Sequence, residues 1–193
     1  MRNLILQHFD GKMRPLDYES QWNIMDYADM INADYKLIRG KPFRKNLTNA
    51  CQKVHMIHEE FDEWDNVLML DIDMFRPKNM SINVFEEKGI GLYASVQQNL
   101  HRRLVQWHPM LASMNAPYWG GAIYKMDRHT RQTLRKQLGG NEGWMHNFNR
   151  PYNYEDEGIM HVLAFRSGFK TEHPYMDQKW CQCSFLPNPE NAG

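Results

Sequence analysis

Residues 66–75 read NVLMLDIDMF and constrain the fold more than any other part of the chain. A short apolar run bounded by polar residues is typical of a strand that is buried on both faces. Asp71 and Asp73 follow this run at alternate positions, at the end of the predicted strand. Because burying an unpaired carboxylate is costly, this pair requires a counter-ion, a shared proton or water.

Strand-like and helix-like segments alternate ahead of this stretch. Residues 3–9 (NLILQHF) predict a first strand, which stops at the turn pair Asp10-Gly11. Residues 20–33 predict a helix with Ser20 as its cap, and residues 35–40 predict a second strand. The helix has apolar groups at helical spacing, among them Trp22, Met25 and Met30.

A second helix is predicted immediately before the aspartate pair, over residues 46–64. Its apolar residues recur at spacings of three and four, which indicates one buried face. They are Leu47, Ala50, Cys51, Val54, Ile57, Phe61 and Trp64. The resulting β-α-β-α-β order favours a parallel sheet, in which ligands bind at the carboxyl ends of the strands. Residues 66–73 form the third strand, so Asp71 and Asp73 lie at such an end.

The second half of the chain continues the alternation. Residues 89–95 and 116–127 predict strands, and residues 128–138 predict a helix. Residues 155–168 predict a late helix with an acidic first turn, which suits the positive end of a helix dipole, and Gly168 is placed to stop it. The prediction is an α/β fold with a mixed, mainly parallel sheet flanked by helices.

Length and charge limit the possible partners. The 193 residues suit one domain, predicted over residues 1–187. Residues 188–193 are expected to be a frayed end or a linker to further domains of a longer chain. The 23 basic and 23 acidic residues balance, which argues against a nucleic-acid partner. No segment is apolar enough to predict a transmembrane helix or a signal peptide. Three cysteines are too few for a disulfide framework, so we expect reduced thiols in a cytoplasmic setting.

Two carboxylates at alternate positions of a strand share a face. If the chain curls after the strand, both can reach one divalent metal ion, and a metal that also binds a diphosphate is the commonest use of such a pair. The alternative is that one or both aspartates are solvated or act as caps. The apolar run before Asp71 favours the metal site.

Residues 62–75 (DEWDNVLMLDIDMF) resemble the Asp-x-Asp region of nucleotide-sugar glycosyltransferases of the GT-A fold. Three further segments resemble parts of that family in the expected order. Residues 23–40 resemble the helix and second strand of retaining galactosyl- and xylosyltransferases. Residues 118–127 resemble the glycine-containing segment of the family, and residues 153–164 resemble the acidic segment that opens a later helix. The resemblance implies transfer of a hexose or deoxyhexose from a UDP-sugar to a glycan or glycoprotein acceptor, with retention as the family tendency.

The resemblance also implies the metal ligands. Asp71 and Asp73 would hold Mn²⁺ or Mg²⁺ against the diphosphate, and His173 is the candidate third ligand. Lys179, six residues later, is a candidate for contact with the phosphates, as in glycogenin-like transferases. Met176 stands where those enzymes have a glycine, so their closing loop does not carry over. A surface histidine and a solvated lysine are the alternatives.

Candidate sugar contacts follow the metal strand. Asp156 is the first candidate for a catalytic carboxylate facing the sugar and Glu157 the second, although a helix amino terminus alone explains one or two acidic residues there. Gly120 and Gly121 permit close backbone approach to a sugar, and Trp119 can stack on its apolar face. A bulge beside a core tryptophan is the alternative.

The nucleotide is expected at the carboxyl ends of the first two strands. GT-A enzymes contact the nucleotide base at the position that Gln7, His8 and Phe9 occupy here. Arg39 ends the second strand beside this position. Lys53, on the helix before the metal strand, is a candidate for a phosphate or ribose contact, with a helix-surface lysine as the alternative.

Two other functions remain open. A haloacid-dehalogenase-like phosphatase also places Asp-x-Asp after an apolar strand, but in its opening strand, whereas two units precede residues 66–75 here. A non-catalytic glycan-binding module on a transferase fold would bind without turnover. For a viral glycosyltransferase, the expected setting is the host cytoplasm.

Overall fold

The computed structural model describes residues 1–93, 105–106, 109–114, 119–139, 155–169, 176–177 and 180. Within these residues the strands are β1 (Asn3–Phe9), β2 (Asp34–Arg39), β3 (Asn66–Leu70), β4 (Gly91–Tyr93) and β5 (Trp119–Asp127). The α-helices are α1 (Pro15–Met30), α2 (Arg128–Lys136) and α3 (Glu155–Arg166). The 3₁₀ helices are Ala50–Ile57, Glu59–Phe61, Val84–Glu86 and Pro109–Met114. None of the helices in these ranges has the length and hydropathy needed to cross a membrane.

The described strands form one mixed sheet in the order β2-β1-β3-β5-β4. β1 pairs in parallel with β2 and with β3, whereas β5 runs antiparallel to both β3 and β4. The predicted α/β class with a mixed sheet is therefore confirmed, and its parallel part is β2-β1-β3. The carboxyl ends of these three strands lie along one edge of the sheet, where Gln7 of β1 pairs with Leu70 of β3.

The sheet is buried on both faces, which explains the continuous apolar runs of β1 and β3. Neighbouring residues of a strand point to opposite faces. One face packs against the 3₁₀ helix Ala50–Ile57, α2 and α3 through Leu4, Leu6, Val67, Met69, Tyr124, Met126, Val54, Ile57, Ile159 and Leu163. The other face packs against α1 through Ile5, Leu68, Leu70, Ile123, Ile24, Tyr27 and Ala28.

Helix α1 begins at Pro15, five residues before the predicted cap, so the prediction of Ser20 as the cap is wrong. Proline is favoured at the first helical position, and the Asp17 carboxylate accepts the backbone N–H of Arg14 at 2.7 Å. Ser20 is instead a buried residue within the helix. The apolar residues at helical spacing are exposed: Trp22 (56%), Met25 (39%) and Met30 (44%).

The helix predicted over residues 46–64 is two 3₁₀ helices, so a single α-helix there is wrong. Cys51, Val54 and Ile57 recur at intervals of three, which matches the three residues per turn of a 3₁₀ helix. His58 has an extended backbone (φ −67°, ψ 150°) and separates the two helices. The segment is covered all round, since every residue from 51 to 57 is buried.

Strand β3 ends at Leu70, three residues earlier than predicted, so both aspartates follow the strand instead of lying in it. The late elements agree with prediction. The Asp127 carboxylate caps α2 by accepting the N–H of Thr130 at 2.6 Å. α3 ends before Gly168, whose φ of +74° is the left-handed conformation that stops a helix.

The predicted state of one cysteine can be compared with the fold. Cys51 is a buried cysteine in the 3₁₀ helix Ala50–Ile57, and its Sγ accepts the hydroxyl of Thr48 at 3.7 Å. Cys181, Cys183 and the predicted tail 188–193 lie outside the described residues.

Candidate active site

A cleft of about 340 Å³ opens at the carboxyl ends of β1 and β3. This is the edge of the sheet at which the sequence places the ligand site. The cleft is lined by His8, Phe9, Asp10, Asn49, Ala50, Lys53, Asp71, Ile72 and Asp73. Both aspartates of the Asp-x-Asp pair are therefore brought to one cavity, together with His8, Phe9 and Lys53.

The chain turns sharply after β3. The backbone N–H of Asp71 donates to the carbonyl oxygen of Ala122 on β5 at 3.0 Å, and the N–H of Met74 donates to the carbonyl oxygen of Asp71 at 3.2 Å. Asp71 is half-buried, whereas Asp73 is exposed at the cleft wall. The turn thus gives the two carboxylates different surroundings on the same cavity.

Gln7 holds this turn from inside the protein. Its side chain is fully buried, and its amide nitrogen donates to the carbonyl oxygen of Asp71 and to Oγ of Ser20, both at 3.1 Å. Its amide oxygen accepts the hydroxyl of Tyr35 at 2.9 Å. Ser20 in turn donates to the carbonyl oxygen of Met74 at 2.6 Å. The structure places Gln7 behind the cleft, where it positions the backbone of Asp71.

Lys53 is a buried cation at the base of the cleft, and its predicted alternative as a helix-surface lysine is wrong. Its Nζ donates to Oδ1 of Asp71 at 2.6 Å and to the carbonyl oxygen of Gly121 at 2.7 Å, and forms an ion pair with Oδ2 of Asp156 at 2.9 Å. Burial lowers the pKa of Lys53, but Asp156 and Asp71 outweigh burial and raise the pKa above its ordinary value. The ammonium group therefore stays charged and links the two carboxylates.

The pKa of Asp71 is raised from its ordinary value. Burial is the main cause, the Lys53 ammonium opposes it, and the Asp156 carboxylate adds to it. A cation placed beside Asp71 favours the ionised carboxylate, so it would lower this pKa.

Gly121 brings β5 into direct contact with the first turn of α3. Its N–H donates to Oε1 of Glu157 at 2.5 Å, and a Cβ at this position would lie 2.6 Å from Oδ2 of Asp156. Only glycine allows this approach. The close approach predicted for Gly121 was to a sugar and stays a prediction; in the structure the close neighbours of Gly121 are the carboxylates of α3. Gly120 is half-buried on β5 beside Leu92 of β4.

The two candidate catalytic carboxylates are buried beneath the cleft. Asp156 is 5% exposed and Glu157 is 6% exposed, and the hydroxyl of Tyr124 lies 3.4 Å from Oδ2 of Asp156. The described cluster thus contains two carboxylates, those of Asp71 and Asp156, on the ammonium group of Lys53, while Glu157 joins it through the N–H of Gly121. This excess of negative charge favours a further cation at the cleft.

The donor set at the cleft fits Mg²⁺ or Mn²⁺. Within the described residues, hydrogen-bond donors reach only one oxygen of Asp71, from Lys53, and neither oxygen of Asp73. Carboxylate oxygens suit these hard cations, and Mg²⁺ is commonly bound by one or two carboxylates together with substrate phosphates. Two protein carboxylates at an open cleft meet that requirement.

The candidate site for the nucleotide base lies at the carboxyl end of β1. His8 is 8% exposed, and its Nε2 lies 2.6 Å from the carbonyl oxygen of Gly40, so Nε2 carries the proton. Burial lowers the pKa of His8, which favours the neutral ring. Phe9 lines the cleft, while the guanidinium group of Arg39 lies 5.6 Å from the Phe9 ring and donates to the carbonyl oxygen of Gly11 at 3.0 Å.

The remaining predicted contacts lie outside the described residues. They are His173, Lys179 and the side chain of Trp119. Conversely, sequence reasoning missed Asp10, Asn49, Ala50 and Ile72 as cleft residues. Asp10 and Ile72 each follow a strand at the same edge of the sheet, which is a usable signal. Asn49 caps and Ala50 begins the 3₁₀ helix Ala50–Ile57, and no local signal in the sequence places this end of the helix at the cleft.

Comparison with known proteins identifies a shared fold. No protein-family model and no curated protein sequence matches the chain. The structure is similar to the crystal structure of a glycosyltransferase involved in the glycosylation of the major capsid of PBCV-1, with a TM-score of 0.52 and 12% sequence identity. The match covers 91% of this chain and 81% of that chain. The resemblance of the sequence to glycosyltransferases of the GT-A fold is thereby confirmed as a likeness in fold. Among them, the sequence most resembles the amino-terminal glycosyltransferase domain of a large chlorella-virus protein. This chain has an α/β fold of the GT-A-like type.

Proposed function

We propose that this chain is a metal-dependent glycosyltransferase that moves a hexose or deoxyhexose from a UDP-sugar to a glycan or glycoprotein acceptor. The observation that carries the proposal is the placement of Asp71 and Asp73 together on one cleft, at the carboxyl ends of parallel strands, in a fold that matches a glycosyltransferase structure. Ligands of open α/β sheets bind at this edge.

The proposal gives each carboxylate of the pair a task. Exposed Asp73 and the second oxygen of Asp71 would hold Mn²⁺ or Mg²⁺, with His173 as a further candidate ligand. When bound, such an ion stabilises the negative charge that develops on a departing diphosphate. Lys53 fixes the orientation of Asp71 through its 2.6 Å bond, so that the free oxygen of the carboxylate stays at the cleft.

Other residues would recognise the donor. Phe9 offers an aromatic face in the cleft, and neutral His8 fixes the adjoining backbone of Gly40. Lys179 and Trp119 remain candidates for phosphate and sugar contacts. Asp156 and Glu157 support the site from below, through Lys53 and Gly121, and a direct contact of either carboxylate with the sugar stays a prediction.

Retention at the anomeric carbon is part of the proposal. It is supported by the burial of Asp156 and Glu157, since an inverting enzyme needs a general base that reaches the acceptor hydroxyl. In a retaining reaction with internal return, the leaving diphosphate itself takes that proton. The anomeric configuration of the product, read by NMR, distinguishes the two.

The test is UDP release from a panel of UDP-, GDP- and dTDP-sugars, with Mn²⁺ and with chelator. We expect turnover of a UDP-sugar that the chelator abolishes and that Asp73→Asn lowers by about 100-fold or more. Asp26→Asn removes an exposed carboxylate from α1 and serves as the matched control. Metal-dependent UDP binding without turnover would favour a binding module, and hydrolysis of a phosphate ester in place of sugar transfer would favour a phosphatase.

A further inference from the structure

A second group of metal-ligating side chains lies outside the cleft. His55, His58 and Glu60 bring their ligand atoms within 4.8 Å of one another, and no other group of three such residues was found in the part of the chain that the structure describes. The sequence spacing is His-x-x-His-x-Glu. The proposed sugar transfer does not use this group.

The break between the two 3₁₀ helices brings the three side chains together. The extended backbone of His58 returns its ring onto that of His55, with ring centroids 4.7 Å apart and an angle of 22° between the planes. Glu60 lies in the next turn, and its carboxylate oxygen Oε1 is hydrogen-bonded to Nε2 of His55. A cap bond of 3.3 Å joins the N–H of Glu60 to Nδ1 of His58.

The distances are close to those of a shared ion. Two ligand atoms on one tetrahedral Zn²⁺ are about 3.4 Å apart, because each bond is about 2.0–2.2 Å long. Nδ1 of His58 lies 3.8 Å from Oε1 of Glu60. His55 and Glu60 are closer because a proton holds them together, and exchanging that proton for a metal ion moves the two atoms slightly apart. A metal ion on Nδ1 of His58 would also replace the 3.3 Å cap bond from the N–H of Glu60, since Nδ1 has a single lone pair.

Neighbouring side chains hold His55 and Glu60 in place, while the solvent-facing side of the group stays accessible to an ion. His55 is 7% exposed, and the edge of the Phe61 ring packs against it at 5.6 Å between centroids. Lys36 donates to Oε2 of Glu60 at 3.2 Å, which orients the carboxylate with Oε1 toward the histidines. The side chains of His58 and Glu60 are 49% and 39% exposed, so an ion can enter from solvent and keep a water ligand.

We propose that His55, His58 and Glu60 form a binding site for a Zn²⁺-class transition-metal ion. Two imidazole nitrogens and one carboxylate oxygen favour such an ion over Mg²⁺, which prefers oxygen ligands. His55 lies in the same 3₁₀ helix as Lys53, two residues further along the chain. The bound ion fastens this helix to the segment before β3 and so stabilises the support of Asp71.

The test is calorimetric titration of the metal-free full chain with Zn²⁺ in excess Mg²⁺, which occupies the oxygen-ligand site. The variants are His58→Ala and Glu60→Gln, both at exposed positions, with His129→Ala on α2 as the control for loss of an exposed histidine. A second readout is the visible absorption of Co²⁺, which reports tetrahedral coordination. A third is the urea midpoint with and without Zn²⁺.

The expected result is one Zn²⁺ equivalent that His58→Ala and Glu60→Gln weaken at least about tenfold and that His129→Ala retains. Zn²⁺ should raise the urea midpoint of the wild type and of His129→Ala, but not that of His58→Ala. Asp71→Asn should keep this equivalent, which separates it from the cleft. Equal Zn²⁺ stoichiometry and affinity in the wild type and His58→Ala would overturn the proposal.

Discussion

The backbone N–H of Gly121 donates to Oε1 of Glu157 at 2.5 Å, which joins β5 directly to the first turn of α3. A methyl group at position 121 would meet Oδ2 of Asp156 at 2.6 Å and Cγ of Glu157 at 3.0 Å. We expect Gly121→Ala to lower the free energy of unfolding by about 3 kcal/mol, because α3 must shift away from the sheet. Urea denaturation measures the loss.

Gly139→Ala is the matched control for this substitution. A Cβ at position 139 would lie 3.9 Å from the carbonyl oxygen of Lys136, which is an ordinary contact. We expect a change of about 0.5 kcal/mol or less. Equal effects of the two substitutions would contradict a specific contact at Gly121.

Lys53→Met tests the role of the buried ammonium group. The substitution leaves the carboxylates of Asp71 and Asp156 without their shared ammonium group. Removing one member of a buried ion pair lowers the free energy of unfolding by about 3 kcal/mol.

Lys36→Met is the control for this substitution. The ion pair of Lys36 with Glu60, at 3.2 Å, is exposed and contributes about 1 kcal/mol or less. Thermal or urea unfolding of both variants gives the comparison, and a Lys53→Met protein as stable as Lys36→Met would exclude the linking role.

Tyr35→Phe tests the network behind the cleft. Without the Tyr35 hydroxyl, Oε1 of fully buried Gln7 loses its 2.9 Å donor, and an unsatisfied buried acceptor costs about 1–3 kcal/mol. Tyr18→Phe removes a hydroxyl from a residue that is 44% exposed, and we expect almost no change there. Urea midpoints of the two variants should differ clearly; coincident midpoints would show that the Gln7 network adds nothing.

Substitutions of Asp71 and Asp73 should differ in their effect on stability but have the same effect on ligand binding. Asp73 is exposed and no described side chain donates to it, so Asp73→Asn should change the free energy of unfolding by about 0.5 kcal/mol or less. Asp71→Asn should be destabilising, because it weakens the partner of buried Lys53. Both variants should lose Mn²⁺-dependent UDP binding in calorimetry. Retained binding in Asp73→Asn would remove that residue from the metal site.

Two buried histidines give the protein a dependence of stability on pH. Burial lowers the pKa of His8 and of His55 below the ordinary value of 6.5. As the pH falls below 6.5, the unfolded chain takes up protons that the folded protein does not, so stability decreases toward the lowered folded pKa values. The urea midpoint should therefore be lower at about pH 5.5 than at about pH 7.5.

His8→Gln is the variant that tests this pH dependence. Glutamine keeps a donor for the carbonyl oxygen of Gly40 and cannot titrate, so the decrease between the two pH values should become smaller. His55 retains its own contribution. His129→Gln controls for loss of an exposed histidine. A decrease as large in His8→Gln as in the wild type would assign the effect to other groups.

The strands were predictable because their apolar runs are local signals. The strand over residues 3–9 follows directly from the apolar pattern, and so does the start of β3 at residue 66, although its end was predicted three residues too late. The edge that holds Asp71 and Asp73 follows from the order of elements. The α-helix predicted over residues 46–64 was wrong because spacings of three and four fit both helix types. The backbone hydrogen bonds distinguish them: Gln52 donates to Asn49 and His58 to His55, three residues back, as in a 3₁₀ helix.

The partners of the site residues were not predictable. Lys53 was a candidate for a phosphate or ribose contact, with a helix surface as the alternative, yet it contacts residues 18 and 103 positions away along the chain. One sequence carries no signal for such long-range pairs. Gly121 was predicted to permit the close approach of a sugar to the backbone. Its neighbours in the structure, Asp156 and Glu157, depend on how α3 docks on β5.

The ion pairs of Lys53 also determine when, during synthesis of the chain, the floor of the cleft can form. A chain growing on the ribosome contains Lys53 and Asp71 long before it contains Asp156, and a domain generally folds as a unit. Until residue 156 emerges, the lysine has only half of its carboxylate partners, so the floor of the cleft is completed late in synthesis.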